Sequence, residues 1–173
     1  VQQILHGDEL LPRSGVSKNN SSSLALAASL KKRMHVYLIV ENKHAGAVVQ
    51  AAAVELGLRL YHFDCSPRTK QVNLSRFHAS DEAFLSTKIS EAYTKGGLFW
   101  CESVEKAPRN FQFWLNSWII GRGLIGSNFS GQRHPNFVVV LTSPVRDTRA
   151  WSGRLSRRLV YVNMMGKRPH TTA

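Results

Sequence analysis

Apolar residues in this chain fall into short continuous runs separated by stretches of helical period. Residues 35–40 (HVYLIV) have the length and composition of a strand covered on both faces. In residues 45–56 the apolar positions Ala45, Val48, Val49, Ala52, Ala53 and Leu56 form one helix face, closed by Gly57. Residues 58–63 (LRLYHF) predict a second strand. Ser80 is placed to cap a helix with Asp81 and Glu82 in its first turn and Leu85, Ile89, Ala92 and Tyr93 on its inner face, ended by Gly96 and Gly97. A third strand follows at residues 98–101. Next comes a helix opening at Pro108, with Phe111, Leu115, Trp118 and Ile119 as its buried stripe and Gly121 as its stop. A Gly-rich loop leads to a fourth strand at residues 137–141 (FVVVL), and a fifth occupies residues 159–164 (LVYVNM). Five apolar strands joined by helical connections predict an α/β fold, a mainly parallel five-stranded sheet with helices on both faces. Ligands of such sheets bind at the carboxyl ends of the strands.

Ahead of this core, residues 14–23 (SGVSKNNSSS) are polar and lack an apolar period, which predicts a flexible connection. The following LALAASLKKR predicts a short helix with a basic end. The expected organisation is an N-terminal arm and linker over residues 1–33, the α/β core over 34–165 and a basic tail over 166–173.

With 173 residues, 43% of them apolar, the chain can bury a real core as one domain. It has no run of the roughly 20 apolar residues needed to span a bilayer, and its first residues lack a signal-peptide pattern. It therefore reads as soluble and intracellular, in cytoplasm or nucleus, with no membrane partner; a start at Val1 also fits a piece excised from a longer protein. Cys65 and Cys101 end two predicted buried strands without CxxC spacing and are expected to be reduced core residues. His62, His78 and His134 show no metal-ligand spacing, so no metal site is expected. The net charge is +12, and from Ser103 onward eleven basic residues face only Glu105 and Asp147. Such a surface suits phosphate or acidic protein partners, or simply keeps the domain soluble.

From Glu102 onward, ESVEKAPRNFQFWLNSWIIGRGLIGSNFSGQRHPNFVVVLTS resembles an AAA+ ATPase, most of all the second ATPase domain of Clp-type disaggregases. The similarity is one of order and spacing, spans about residues 34–165, and leaves no motif intact. In that family a loop of pattern GxxxxGK[ST] wraps the phosphates with backbone N–H groups, a lysine and a metal-binding hydroxyl. The matching stretch here is Glu41, Asn42, Lys43, His44, Ala45, Gly46, Ala47 and Val48, of which only Gly46 fits. Ala47 replaces the lysine, Val48 replaces the hydroxyl, and Glu41 adds a negative charge. The acidic pair that holds metal and activates water falls on Glu102 and Ser103, or in a shifted register on Cys101 and Glu102. Either way half of it is lost, and no catalytic residue is expected. The strand that orients the attacking water in that family corresponds to Thr142 and Ser143, with Pro144 in place of the usual Asn. The resemblance therefore implies no bound cofactor, ATP included. The family's small helical lid is not expected in the short tail after Met164.

The segment WSGRLSRRLVYV is similar to the part of AAA+ domains where an arginine reaches into a neighbouring subunit's ATP site. Arg154, Arg157 and Arg158 are candidates for that finger, with helix capping or internal ion pairs as the alternative. Arg146, Arg149 and Trp151 extend the cluster, and an arginine/aromatic group of this kind can stack on nucleic acid or dock a partner. Trp100, Trp114 and Trp118 are expected to pack in the core or between subunits.

Three functions compete on these grounds. The first is an inactive AAA+-like pseudo-ATPase serving as a structural or regulatory assembly module, with other AAA+-type subunits or domains as partners in a homo- or hetero-oligomer. The second is a nucleic-acid-binding protein using the basic C-terminal half. The third is a slow or atypical ATPase rescued by Lys43 and by residues from a neighbouring subunit.

Overall fold

The computed structural model describes residues 13–66, 79–120, 132–145 and 153–165, with side chains from residue 22 and, in the last stretch, from residue 155. Helix α1 (Arg13–Lys31) leads into β1 (Val36–Ile39), α2 (Asn42–Glu55) and β2 (Leu60–Asp64). Then come α3 (Ala79–Lys95), β3 (Gly97–Glu102), a 3-10 turn (Val104–Lys106), α4 (Arg109–Ile119), β4 (Phe137–Ser143), the short α5 (Gly153–Ser156) and β5 (Val160–Asn163). The five strands form one sheet in the order β2-β3-β4-β1-β5, and every pairing is parallel.

Alternation along the strands builds two cores. Val36, Leu38, Leu98, Trp100, Val138 and Val140 point to one face, covered by Leu26 and Leu30 of α1 and by Ala45, Val49, Ala52 and Ala53 of α2. Tyr37, Ile39, Phe99, Cys101, Val139 and Leu141 point to the other, covered by α3 and α4. The expected inner faces of these two helices are buried as read, through Leu85, Ile89, Ala92 and Tyr93 on α3 and Phe111, Leu115, Trp118 and Ile119 on α4. Because β1 and β4 are buried on both faces, they carry no polar alternation until the last two residues of β4, Thr142 and Ser143.

The amino-terminal region departs from expectation. Residues 14–23 are part of α1, not a flexible connection. Serine and asparagine are only mediocre helix formers, so the apolar contacts of Leu26 and Leu30 with the sheet must carry the helix. The Ser22 hydroxyl adds a tie by donating to the Asn163 carbonyl at 2.8 Å. The packed core thus begins before residue 34. Ser80 lies within the first turn of α3, which starts at Ala79, so it does not stand at the cap position.

Candidate functional site at the carboxyl edge of the sheet

Of the residues singled out by sequence, Glu41 to Val48, Glu102, Ser103, Thr142 and Ser143 lie at or just beyond the carboxyl ends of β1, β3 and β4. After Ile39 only Val40 and Glu41 precede α2. Val40 still belongs to the sheet, donating its N–H to the Ser143 carbonyl at 2.9 Å. Glu41 is the N-cap: its carbonyl accepts from the N–H groups of His44 (2.9 Å) and Ala45 (3.0 Å). Its carboxylate makes no capping hydrogen bond but pairs with Lys43 Nζ at 3.2 Å and lies 4.0 Å from His44 Nε2. A negative charge there complements the positive end of the helix dipole. The stretch expected to be a degenerate phosphate loop is therefore a cap and the first two turns of a helix. Within it Ala45 is buried and Ala47 exposed, while Val48 packs against the α1/α2 core. Gly46 faces Trp100, and a Cβ on it would stand 3.6 Å from the indole ring.

At the end of β3 the side chains alternate between faces. Cys101 points into the α3/α4 core, where it and Cys65 are wholly buried free thiols. Burial, helped by the neighbouring Cys101, pushes the Cys65 thiol well above its ordinary range. Cys101 is thus removed from the carboxyl edge. Ser103 is buried, with its backbone in the left-handed region at φ 57°. Of Cys101, Glu102 and Ser103, Glu102 alone carries a carboxylate. Burial raises its affinity for a proton above that of an ordinary glutamate, against the opposing pull of His62, whose Nε2 lies 3.6 Å away.

Sequence reading set His62 aside and treated Trp100 as packing. The parallel register brings them together: His62 pairs with Trp100 and Asp64 with Glu102. The His62 imidazole stacks on the Trp100 indole with centroids 4.0 Å apart. On its other side Trp100 Nε1–H donates to Thr142 Oγ1 at 2.8 Å. Period-two alternation on β2 and β3 was the signal that could have grouped His62, Trp100 and Glu102. Ser143 is also engaged, since its hydroxyl donates to the Val145 carbonyl at 2.9 Å and accepts from the Val145 N–H at 3.1 Å. Both candidate water-orienting hydroxyls therefore have protein partners. Among the described residues no group of three or more His, Cys, Asp and Glu side chains could hold a metal ion.

The arginine candidates divide. Arg146, Arg149 and Trp151 lie outside the described residues, as does the side chain of Arg154, whose backbone belongs to α5. Arg157 and Arg158 are exposed and precede β5, at the amino edge of the sheet and away from the cluster just described.

No family model and no curated protein matches the chain. Among solved structures it is similar to NtrX from Brucella abortus, with a TM-score of 0.59 at 13% identity over 90% of this chain and 37% of that one. A structure of the same protein in complex with ATP matches with a TM-score of 0.58 at 12% identity, over 90% of this chain and 38% of that one. A RuvB mutant from Thermotoga maritima matches with a TM-score of 0.51 at 13% identity, over 90% of this chain and 46% of that one. The chain thus spans less than half the length of each of these structures. No described helix is long and apolar enough to cross a membrane. With its five parallel strands in the order β2-β3-β4-β1-β5, the chain has an AAA+-like α/β core of the kind seen in NtrX and RuvB.

Proposed function

We propose that this AAA+-like domain works without bound nucleotide, as a structural or regulatory module of a larger assembly. The observation that carries this reading is the join between β1 and α2. Two residues connect them, one of them still bonded to the sheet. Wrapping a polyphosphate requires a run of backbone N–H groups free of helix and strand, and two residues cannot supply it.

The chemistry around the join supports the same reading. Glu41 puts a carboxylate at the helix end where phosphates would sit. Of the two acidic positions needed for metal and water, only Glu102 points to the edge, and it faces His62. A shared AAA+-like core without a nucleotide site still offers the surfaces by which such domains can be built into an assembly, and other AAA+-type subunits are the partners this reading favours. Phosphate release from millimolar Mg·ATP should stay at the level of the buffer blank, and sedimentation of the chain should be the same with and without nucleotide. Steady turnover, or assembly that needs ATP, would sink the proposal.

A further inference from the structure

Charge is distributed unevenly between the two edges of the sheet. At the carboxyl edge the described acids Glu41, Asp64, Glu102 and Glu105, with Asp81 and Glu82 in the first turn of α3, outnumber Lys43, Lys106 and Arg109. At the amino edge the balance reverses. Arg59 precedes β2, Lys95 precedes β3, Arg133 precedes β4, Arg33 precedes β1 and Arg158 precedes β5. Every strand therefore begins beside a cation, and Lys31 and Lys32 add two more ahead of β1. Among the described residues the acids at this edge are Glu55 and Glu91.

The strand order sets these positions side by side along one edge. Arg59 and Lys95 share Glu91, at 3.6 and 3.5 Å, and line an open depression of about 220 Å³ together with Asn136. Asn136 Oδ1 accepts from Arg33 Nε at 3.3 Å. Arg133 donates to the Phe137 carbonyl at 3.3 Å and lies 3.3 Å from His35 Nε2. The His35 carbonyl accepts from the Val160 N–H at 2.9 Å, which sets the start of β5 next to that of β1. With neighbouring strands about 4.8 Å apart, five strand starts make a ridge about 19 Å wide.

Helix ends explain only part of the row. Lys31 and Lys95 lie in the last turns of α1 and α3, where cations complement the dipole, and Arg33 donates to the Leu30 carbonyl at 2.7 Å. Arg59, Arg133 and Arg158 stand outside any helix and are exposed.

We propose that the amino edge of the sheet is a docking surface for the phosphate backbone of a DNA duplex. The inference is independent of whether the opposite edge takes nucleotide. A row of point charges and guanidinium forks neutralises successive phosphates without reading bases. Single-stranded binding would call for exposed aromatic platforms. The aromatic side chain in the depression, Tyr61, is half-buried, has its hydroxyl oxygen out of contact with solvent and lies beneath the Arg59 guanidinium. Shape recognition of duplex RNA spreads contacts to 2′-hydroxyls over about 16 base pairs, well beyond a ridge of this width.

The test is fluorescence anisotropy of the full chain with a labelled DNA duplex, titrated over about 50 to 200 mM salt. Wild type should bind with a steep salt dependence. Replacing Lys31, Lys32, Arg59 and Arg158 by Gln should shallow the log K against log salt slope by about 0.9 per residue and weaken binding at least tenfold. A milder Lys32→Gln, Arg158→Gln pair, with folding checked by circular dichroism, should show half that change in slope. Replacing Lys43, Lys106 and Arg109 by Gln at the opposite edge should leave the slope unchanged. Unaltered binding by the amino-edge variants would overturn the proposal. So would tighter binding of duplex RNA, or more effective competition by polyglutamate than by unlabelled duplex, which would mark an acidic protein as the partner.

Discussion

Trp100 donates its indole N–H to the Thr142 hydroxyl at 2.8 Å across two adjacent strands, with both side chains buried. The bond occupies the hydroxyl that the resemblance would assign to water, and it ties β3 to β4 beneath the start of α2. Thr142→Val leaves a buried N–H without its partner and should cost about 1–3 kcal/mol. Combined with Trp100→Phe in a double-mutant cycle, the pair should show a coupling of about 0.5–1.5 kcal/mol by urea unfolding. A coupling near zero would mean that the contact contributes packing alone.

Gly46 separates a phosphate-loop glycine from a helix residue. Since it lies in α2 with ordinary van der Waals room for a Cβ, Gly46→Ala should stabilise the fold by about 0.5–1 kcal/mol through helix propensity. Destabilisation on thermal melting would indicate a backbone conformation that only glycine accepts.

His35 gives the fold a pH dependence. Burial, then the Arg133 charge, lowers its pKa to about 3. Its Nδ1 accepts from the Val139 N–H at 2.9 Å, so the neutral ring carries its proton on Nε2, and the 3.3 Å approach of Arg133 is a meeting of two donors. The unfolded chain binds this proton below about pH 6.5 while the folded chain does not. Stability from this group is therefore complete above that value and falls toward about pH 3, by up to about 1.4 kcal/mol per pH unit. Urea midpoints measured across that window should show the slope, and His35→Gln should flatten it. An equal slope in the variant would assign the dependence to other groups.

Glu102 has the opposite sign. Its folded affinity for protons is raised chiefly by burial, so the charged form at neutral pH carries a cost that protonation relieves. Glu102→Gln should raise the melting temperature at neutral pH, with the gain vanishing as pH falls through the glutamate range. A loss of stability at neutral pH would make the contact with His62 a structural ion pair.

Much of the fold was legible because buried parallel strands are continuous apolar runs. Residues 35–40 and 137–141 announced the two central strands, and the period of Leu85, Ile89, Ala92 and Tyr93 announced α3. Two features were not legible. The first half of α1 has no apolar period, so its helicity depends on Leu26 and Leu30 finding the sheet. The start of α2 was drawn three residues late, since the exposed Asn42, Lys43 and His44 contribute nothing to an apolar face. That displacement left room for a loop where the chain is already helical. At the site, the resemblance pointed to Glu102 and Thr142, but the partners His62 and Trp100 required the register of β2 on β3 and of β3 on β4. The amino-edge cations come from residues 31–33, 59, 95, 133 and 158, and only the strand order makes them neighbours.

The central claim is that a two-residue join between β1 and α2 leaves no place for a nucleotide's phosphates. Its most direct test is the melting temperature of the full chain with and without Mg·ATP at 100 times a micromolar-range dissociation constant. A site of that affinity would contribute about 2.7 kcal/mol, or roughly 5–10 °C for a domain of this size. The account predicts no rise beyond the scatter of the buffer control; a reproducible rise of several degrees would contradict it.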